Sequence, residues 1–331
     1  MNSIVDESCR FRPPTRGRLV LWELTGFCNL ACKHCCTGSS PAVSRKDDLS
    51  TEAALAALRE LGAADVRELY LTGGEPLARK DFTELLLAAG ETSGLAVYVA
   101  TNGTFIRDSH VAAFRTAAVR SITISVDGYN AETHDAIRGA GAFAKTELGI
   151  RRCVEAGLRV RLSHMITPTN FQSIPRFCEF AISVGVPSVA LHTIIPAGTA
   201  RDSSDLVLMS SMTGAIQDVI RAAHRDYRGR LEIQHGLDGN DNPKHCIAGQ
   251  QLLHISPNGD VSPCSWMYKL NPAFTLGNLR HDSLLSCLDR LESVVGAYSG
   301  RPGCPIPVLA EASLRARLRT PSSAQPSPVS P

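Results

Sequence analysis

Short apolar runs rich in β-branched residues alternate along the chain with longer stretches whose apolar residues recur at helical spacing. Alternation of apolar and polar positions is typical of a half-buried strand, and apolar positions three and four apart are typical of an amphipathic helix. The pattern predicts six strands, at 19–25, 66–73, 95–102, 121–128, 159–167 and 188–195. It predicts helices between them, near 50–62, 80–93, 107–118, 143–156 and 171–184. Because repeated βα units require right-handed crossovers and a parallel sheet, we expect an α/β fold, a partial (β/α)6 TIM-like barrel with its sites at the carboxyl ends of the strands.

The regular alternation ends near residue 235, and Gly-, Pro- and Asn-rich sequence follows. The turn at 257–260, with the sequence PNGD, lies between two short apolar runs and predicts a β-hairpin. The Pro/Ser-rich end, 320–331, is typical of a disordered tail. The expected organisation is an N-terminal extension at 1–18, the barrel at 19–235, a small domain of a β-hairpin plus a helix at 236–310, and a tail at 311–331.

The composition of this 331-residue chain excludes some classes of partner. The 34 Lys and Arg residues against 32 Asp and Glu residues leave a formal charge of +2, without the excess of basic residues that a nucleic-acid groove needs. No run of 18 apolar residues occurs, and the first 18 residues lack the apolar centre of a signal peptide. We therefore expect a cytoplasmic protein with neither a nucleic-acid nor a membrane partner.

The 11 cysteines are unusual for such a protein, because clustered thiols in a reducing compartment favour metal or redox chemistry over disulfides. Cys28, Cys32 and Cys35 stand in CNLACKHC, directly after the first predicted strand. Sulfur ligands favour zinc or an iron–sulfur cluster. Zinc usually takes four protein ligands, and Cys36 or His34 could supply the fourth, so the spacing leaves both kinds of centre open.

Further motifs follow the three cysteines in a fixed order: GGEP at 73–76, TNGT at 101–104, ISVDGYNAETHDAIRG at 124–139 and RVRLSHMITPTN at 159–170. Together with CxxxCxxC they resemble the radical S-adenosylmethionine (SAM) superfamily, over roughly residues 19–200. The resemblance implies that Cys28, Cys32 and Cys35 hold a four-iron cluster (4Fe-4S) whose open iron binds SAM. One electron from the cluster would cleave SAM to methionine and a 5′-deoxyadenosyl radical, which abstracts hydrogen from a substrate. An external one-electron reductant such as flavodoxin or ferredoxin is then expected.

The same resemblance implies a set of SAM contacts. The glycines Gly73 and Gly74 would let backbone approach the methionyl group, and Pro76 would fix the turn. The remaining candidates are Glu75 for the ammonium group, Ser125 and Asp127 for the carboxylate and ribose hydroxyls, Arg138 for the carboxylate, His34 as a flat ring near adenine, and Asn102. Ordinary turn chemistry is the alternative for Asn102, and a surface position on a helix is the alternative for Arg138.

A second set of cysteines, Cys246, Cys264 and Cys304, lies beyond the predicted barrel. It resembles the auxiliary-cluster domain called twitch and, more distantly, the longer SPASM domain, which implies a second iron–sulfur cluster; zinc is the alternative. Cys287 has helical apolar spacing, typical of a small buried residue, so the fourth ligand stays open. Cys153 and Cys178 are predicted to pack within helices. A hydrogen-donating role stays open for Cys36 and Cys287.

The short auxiliary domain and the absence of a recognition domain before the barrel favour a small-molecule substrate. We expect a sugar, cyclitol or nucleoside intermediate of antibiotic or other natural-product biosynthesis, dehydrogenated or decarboxylated by an oxidoreductase or lyase. The alternative is a maturase of a ribosomal peptide or of a peptide-derived cofactor. His164 and His192 on the fifth and sixth strands are candidate cavity-facing groups, with a structural role as the alternative.

Overall fold

The computed structural model describes residues 16–194, 197–235, 247–270 and 272–295. The strands are β1 (Arg18–Glu23), β2 (Val66–Thr72), β3 (Ala96–Thr101), β4 (Ser121–Ser125), β5 (Val160–Ile166), β6 (Ser188–Thr193), β7 (Glu232–His235), β8 (Leu252–Ile255), β9 (Asp260–Ser262) and β10 (Gly277–Asn278). The helices are α1 (Thr51–Glu60), α2 (Phe82–Gly90), α3 (Asp108–Thr116), α4 (Ala131–Arg138), α5 (Ala142–Glu155), α6 (Ile174–Ser183), α7 (Thr213–Asp226), α8 (Ser265–Leu270), α9 (Leu284–Asp289) and α10 (Leu291–Val295). Across these ranges, every helix is too short or too polar to span a membrane.

One sheet contains all ten strands, in the order β10-β9-β8-β1-β2-β3-β4-β5-β6-β7. Strands β1 to β7 are parallel and lie in chain order, as consecutive βα units require. The six predicted strands and the partial barrel are confirmed. Three features of the sheet were not predicted. Strand β7 extends the barrel side, and the short strand β10 pairs with β9. The predicted hairpin β8–β9 joins the same sheet because β8 pairs in parallel with β1.

Local signals explain most helix boundaries. The Ser50 side chain accepts a hydrogen bond from the Ala53 N–H (3.3 Å) and begins α1, and Gly157, with φ of +73°, follows the end of α5. Sequence analysis missed α4, whose eight residues are mostly polar. Asn130 begins it by accepting a hydrogen bond from the Thr133 N–H (3.0 Å).

Alternate residues of each strand face either the helix layer or the interior of the barrel. On β5, His164 faces the helices, where its ring lies 4.3 Å from that of Phe177, and its Nδ1 lies 3.0 Å from the Val126 carbonyl oxygen. The structural alternative for His164 is therefore confirmed. His192 pairs with Met165 across β5 and β6 on the interior face, where both are half-buried.

Cysteines outside the two predicted cluster sites pack mainly in the core. Cys153 in α5 and Cys178 in α6 are fully buried, which confirms their predicted packing. Cys287 in α9 is also fully buried in this core.

A second, smaller core joins the C-terminal segment to the barrel. Leu19 of β1 and Leu252 of β8 pack with Cys264 and with Met267 of α8. Because Leu19 lies on the opposite face of β1 from Val20 and Trp22, which belong to the main core, α8 covers the interior face of the sheet next to β1. The C-terminal segment thus forms one wall of the barrel interior.

Candidate active site

The segment between β1 and α1 carries Cys28, Cys32 and Cys35, and we call residues 24–49 the cysteine loop. Arg79 fixes its two ends, because one guanidinium nitrogen, Nη1, donates to the carbonyl oxygens of Leu24 (2.8 Å) and Leu49 (3.1 Å). Asp81 holds the guanidinium through two further hydrogen bonds, one of them from Nε at 2.9 Å. The role of Arg79 was not predicted from the sequence, because no motif marks this residue.

The three thiols of the loop lie close to hydrogen-bonding groups. Cys28 and Cys32 are buried and Cys35 is half-buried. Their neighbours are the Leu30 N–H (3.4 Å) and the Asn102 amide (3.7 Å) at Cys28, Nη1 of Arg138 (4.0 Å) at Cys32, and the Thr37 hydroxyl (3.1 Å) at Cys35. Burial raises the pKa of the Cys28 thiol to about 11 and also raises that of Cys32. A bound metal centre would stabilise the thiolates, and the N–H donors would then complement their negative charge.

The backbone of the GGEP segment extends the pairing of β1 and β2 into the cysteine loop. The N–H groups of Gly74 and Glu75 donate to the carbonyl oxygens of Thr25 (2.7 Å) and Phe27 (2.8 Å). A Cβ on Gly73, whose φ is +144°, would lie 2.6 Å from the Thr25 oxygen, and one on Gly74 would overlap the Phe27 oxygen. The glycines are therefore required by contact with the cysteine loop. The backbone approach to SAM that we expected remains a prediction.

Glu75 is fully buried between two strand ends, and Pro76 next to it begins a single turn of 3-10 helix. One Glu75 oxygen accepts from the Thr101 hydroxyl (2.7 Å) and the Leu77 N–H (3.1 Å), and the other accepts from the Asn102 N–H (2.8 Å). Burial raises the pKa of Glu75 to about 7 despite these hydrogen bonds. The carboxylate thus fixes the turn after β3, while its predicted contact with an ammonium group remains a prediction.

Asp127, two residues beyond β4, is the centre of a buried charged group. Its Oδ2 accepts from Nε of Arg138 (2.6 Å) and lies 2.9 Å from Nε2 of His34, and its Oδ1 accepts from the Met165 N–H (2.9 Å). Burial alone would raise the pKa of Asp127. The charge of Arg138 together with His34 nevertheless holds that pKa well below its usual range. Arg138 is 8% exposed, so the surface alternative for it was wrong. Nδ1 of His34 is buried and has no hydrogen-bond partner in the part of the chain that the structure describes.

The structure brings most of the predicted SAM contacts to the carboxyl ends of β1 to β4. Ser125 ends β4 on the interior face and is half-buried. Asn102, after β3, connects this edge to the cysteine loop, because its amide donates to Oδ1 of Asn29 (2.9 Å) and contacts Cys28. Its own Oδ1 accepts from the Thr104 N–H (2.9 Å), so turn chemistry and contact with the loop occur together.

The segment after β6 packs onto the same loop. The Thr199 N–H donates to the Cys35 carbonyl oxygen (2.9 Å), and the Ser203 hydroxyl donates to that of Lys33 (2.9 Å). Gly198, with φ of +57°, allows this approach, because a Cβ there would overlap the Cys35 oxygen. Six strands therefore contribute to the surroundings of the three thiols from both sides of the barrel.

Of the second cysteine set, the structure places Cys264, which is buried directly before α8. Cys246 and Cys304 lie outside the described residues. Lys269 of α8 donates to Glu23 at the end of β1 (2.7 Å), which sequence analysis missed. Although burial alone would lower it, the charge of Glu23 raises the pKa of Lys269, and nearby Cys36 and Cys35 act in the same direction. This ion pair connects the C-terminal segment to the end of β1, directly before the cysteine loop.

The donors fit an iron–sulfur cluster better than a single metal ion. Within the described ranges, no three His, Cys, Asp or Glu side chains converge closely enough to hold one ion together. Zinc requires its four donors around a single point, whereas the thiolates of a four-iron cluster bind separate iron atoms. Two buried thiols and a half-buried third, with N–H groups directed at the buried two, therefore define an iron–sulfur site on a partial (β/α)6 barrel.

Comparison with known proteins agrees with this class. The radical SAM superfamily pattern matches residues 22–181, and an iron–sulfur cluster-binding domain, SPASM, matches residues 246–291. The chain is 35% identical over 286 residues to the AdoMet-dependent heme synthase of Methanosarcina barkeri, covering 80% of this chain and 79% of that protein. It is 30% identical over 270 residues to the mycofactocin maturase MftC of Mycolicibacterium smegmatis, covering 79% and 67% respectively. The chain belongs to the radical SAM superfamily. Its cofactors are SAM, the four-iron cluster that binds SAM, and an auxiliary iron–sulfur centre in the SPASM domain.

Solved structures share the fold. Streptococcus suis SuiB bound to S-adenosylmethionine superposes with a TM-score of 0.70 at 16% identity, covering 85% of this chain and 67% of that chain. Native anSMEcpe with bound AdoMet superposes with a TM-score of 0.66 at 15% identity, covering 84% and 83%. At this identity the likeness establishes the partial barrel and no more.

Proposed function

We propose that this radical SAM enzyme modifies a peptide or a peptide-derived cofactor precursor, with Cys28, Cys32 and Cys35 holding the cluster that binds SAM. The arrangement that supports this assignment is the set of two buried thiols and a third half-buried one, with N–H donors directed at Cys28 and Cys32. When bound, the cluster and SAM supply a one-electron cleavage that yields a 5′-deoxyadenosyl radical. A reductant, in our proposal flavodoxin or ferredoxin, supplies the electron.

The protein's own residues would bind and orient SAM beside the cluster. Glu75 presents a buried carboxylate for the ammonium group next to Gly73 and Gly74, whose lack of side chains keeps the segment close to the cysteine loop. Arg138 retains N–H donors beyond the one it gives Asp127, so it can also receive the SAM carboxylate. The His34 ring, held by Asp127, would face adenine with an unused Nδ1. Ser125 and Asn102 complete the proposed set.

Cys264, with Cys246 and Cys304, is our proposed ligand set for an auxiliary cluster. Cys264 lies at the start of α8, which forms the wall of the barrel interior next to β1. A centre held there would lie beside the substrate chamber, where it could accept an electron from the substrate or bind the substrate. We leave Cys287 out of this set because its side chain packs among the apolar residues of the main core.

The peptide substrate is supported by the match to a mycofactocin maturase across both the barrel and the auxiliary domain. A further relative, the PqqA peptide cyclase of Rhizobium meliloti, is 27% identical and covers 89% of this chain. The names of the heme synthase, the maturase and the cyclase mention neither a sugar nor a cyclitol, so the substrate that we expected from the sequence lacks support. The interior faces of β4 and β5 carry Thr123, Ser125 and Ser163, and such hydroxyl groups suit a peptide, whose backbone needs hydrogen-bonding partners.

A heme-type tetrapyrrole is a second candidate substrate. The observation that favours it is the 35% identity to a heme synthase, which covers four fifths of this chain. The two candidates differ in the compound that stimulates SAM cleavage, so one assay separates them.

Anaerobic reconstitution, iron counting and incubation with SAM and dithionite test the core of the proposal. We expect 5′-deoxyadenosine from the wild type and none from Cys28→Ala; zinc in place of iron, or no 5′-deoxyadenosine, would refute it. Cys264→Ala should lose iron but keep uncoupled SAM cleavage, whereas the control Cys287→Ala should keep its iron. Peptides encoded beside the gene and Fe-coproporphyrin III are then compared as stimulators of 5′-deoxyadenosine formation, and stimulation by the tetrapyrrole alone would overturn the peptide assignment.

A further inference from the structure

The barrel interior contains, near the amino ends of the strands, an arginine with no acidic partner among the described residues. Arg161, the second residue of β5, faces the interior and is half-buried. Its Nη1 donates to Oε1 of Gln234 (3.2 Å) and its Nη2 donates to the Thr123 hydroxyl (3.1 Å). Both acceptors are neutral, and no carboxylate in the described part of the chain lies within ion-pair distance of the guanidinium.

The hydrogen bonding of Arg161 is also incomplete. A guanidinium carries five N–H donors, and the two bonds to Gln234 and Thr123 use two of them. Nε is buried and has no hydrogen-bond partner among the described residues. An inward-facing cation in this state favours an incoming anion, because the anion supplies both the missing charge and the missing acceptors.

A flat aromatic wall lies beside this arginine. The rings of Tyr70 and Tyr98, on β2 and β3, are stacked with centroids 4.4 Å apart and planes 6° from parallel. Tyr98 pairs with Ser121 of β4, and Arg161 pairs with Thr123, two residues further along the same interior face of that strand. The arginine and the two rings therefore face the same part of the barrel interior, which we call the chamber. Burial is the main cause that raises the pKa of both tyrosines, and the charge of Arg161 lowers the pKa of each. The carboxylate in this chamber, Glu68, lies at hydrogen-bond distance from the Tyr70 hydroxyl (3.4 Å).

The chamber lies on the interior face of the sheet, nearer the amino ends of the strands than the proposed SAM site. Met165 marks the level of that site on β5, because its N–H donates to Asp127 (2.9 Å). Arg161 is four residues earlier on the same strand, so it points to the same face and lies about 13 Å nearer the amino end. A substrate that reaches both levels must therefore extend over roughly that distance.

We propose that Arg161 binds a carboxylate of the substrate, about 13 Å along β5 from the level of the proposed SAM site, with an adjoining apolar or aromatic group of the substrate against the Tyr70–Tyr98 stack. This inference rests on the proposed function and narrows its substrate to a peptide with an acidic side chain or a free carboxyl terminus at that spacing. The Thr123 and Gln234 contacts then hold the guanidinium in place for the carboxylate.

The direct test uses 3-phenylpropionate, which combines a carboxylate with a flat ring, and its neutral amide as the control ligand. Saturation-transfer difference NMR on the reconstituted protein measures binding of each probe. We expect the wild type to bind the acid, the amide to bind at least about tenfold more weakly, and Arg161→Gln to lose the preference. Arg161→Lys keeps the charge without the planar fork, so it should recover part of the preference.

Arg115→Gln is the matched control, since it removes the same charge from an exposed position on α3. Equal binding of acid and amide by the wild type, or loss of the preference in Arg115→Gln, would overturn the proposal. Circular dichroism checks that each variant is folded. If Arg161→Gln does not fold, the preference for the acid over the amide is compared between the wild type and Arg161→Lys, and an equal preference in the two would overturn the proposal. The measurement needs no SAM cleavage, so its failure is distinct from failure of the proposed function.

A second arm applies once a peptide substrate is found. Replacing the relevant carboxylate of the peptide by an amide should raise KM by about the same factor as Arg161→Gln, and combining both changes should add little. Fully additive effects would show that Arg161 contacts another part of the molecule and would overturn the assignment.

Discussion

Arg79, which connects the two ends of the cysteine loop, should contribute far more to the free energy of unfolding than a similar arginine on the surface. Arg79 and Asp81 have side chains that are 8% and 16% exposed, whereas Arg67 and Asp65, also two residues apart, are 49% and 53% exposed. Arg79→Met leaves two buried backbone carbonyls and a partly buried carboxylate without their donor. Breaking a buried pair in this way costs about 3–5 kcal/mol, and breaking an exposed pair costs about 0–1 kcal/mol.

Urea unfolding of the cluster-free protein, followed by circular dichroism, measures this difference. We expect Arg79→Met to lower the free energy of unfolding by about 3–5 kcal/mol and Arg67→Met to lower it by at most about 1 kcal/mol. Because the cysteine loop loses its closure, iron incorporated during reconstitution should fall in Arg79→Met only. Equal destabilisation by the two variants would refute the buried role, and unchanged iron with a large loss of stability would refute the link between closure and cluster binding.

Three further predictions concern the same edge of the barrel. Gly74→Ala should lower the free energy of unfolding by about 1–3 kcal/mol and reduce iron incorporation, because the added methyl group overlaps a backbone oxygen of the cysteine loop. The control Gly62→Ala, whose methyl group meets no atom within 4 Å, should match the wild type. Equal iron incorporation in the two variants would contradict this packing. Burial raises the pKa of Glu75 from 4.5 to about 7, so its contribution to stability is greatest below pH 4.5 and decreases by up to about 3 kcal/mol as pH rises to 7. Between pH 5 and pH 8 the free energy of unfolding of the wild type should therefore decrease relative to that of Glu75→Gln. A difference between the two proteins that does not change with pH would argue against the raised pKa. Asn102→Ala removes an N–H group from Cys28, so redox titration should show a lower cluster potential, and an unchanged potential would exclude the hydrogen bond.

The sequence predicted the barrel well because its signal is local. Alternation along β5 marks the four buried residues and the interior-facing residues between them, and the observed bounds of this strand lie within one residue of those expected. The helix α4 was missed because its polar residues cover a narrow buried face. Pairing of β8 with β1 was also missed, since it joins segments that no local pattern relates.

The candidate site was predicted in its residues but less well in their contacts. Cys28 and Glu75 were recognised from motifs, yet the partners that position them, Asn102 and Thr101, come from another strand end. The need for Gly74 was attributed to a cofactor, whereas contact with the cysteine loop already requires it. Arg79 and Arg161 carry no motif, and their importance follows from burial and from the charge of their surroundings, which only the folded chain defines.

The pairing of β8 with β1 also determines when the molecule can be completed during synthesis. Leu19 pairs with Leu252, about 230 positions later, so a ribosome adding 5–20 residues per second needs roughly 10 to 50 seconds to supply the partner strand. Until then the β1 edge is open, and open edges pair readily with other chains. The thiols that follow β1 lie beside that edge in the growing chain. Protection from aggregation and from oxygen is therefore needed earliest at the first strand, well before the auxiliary domain has left the ribosome.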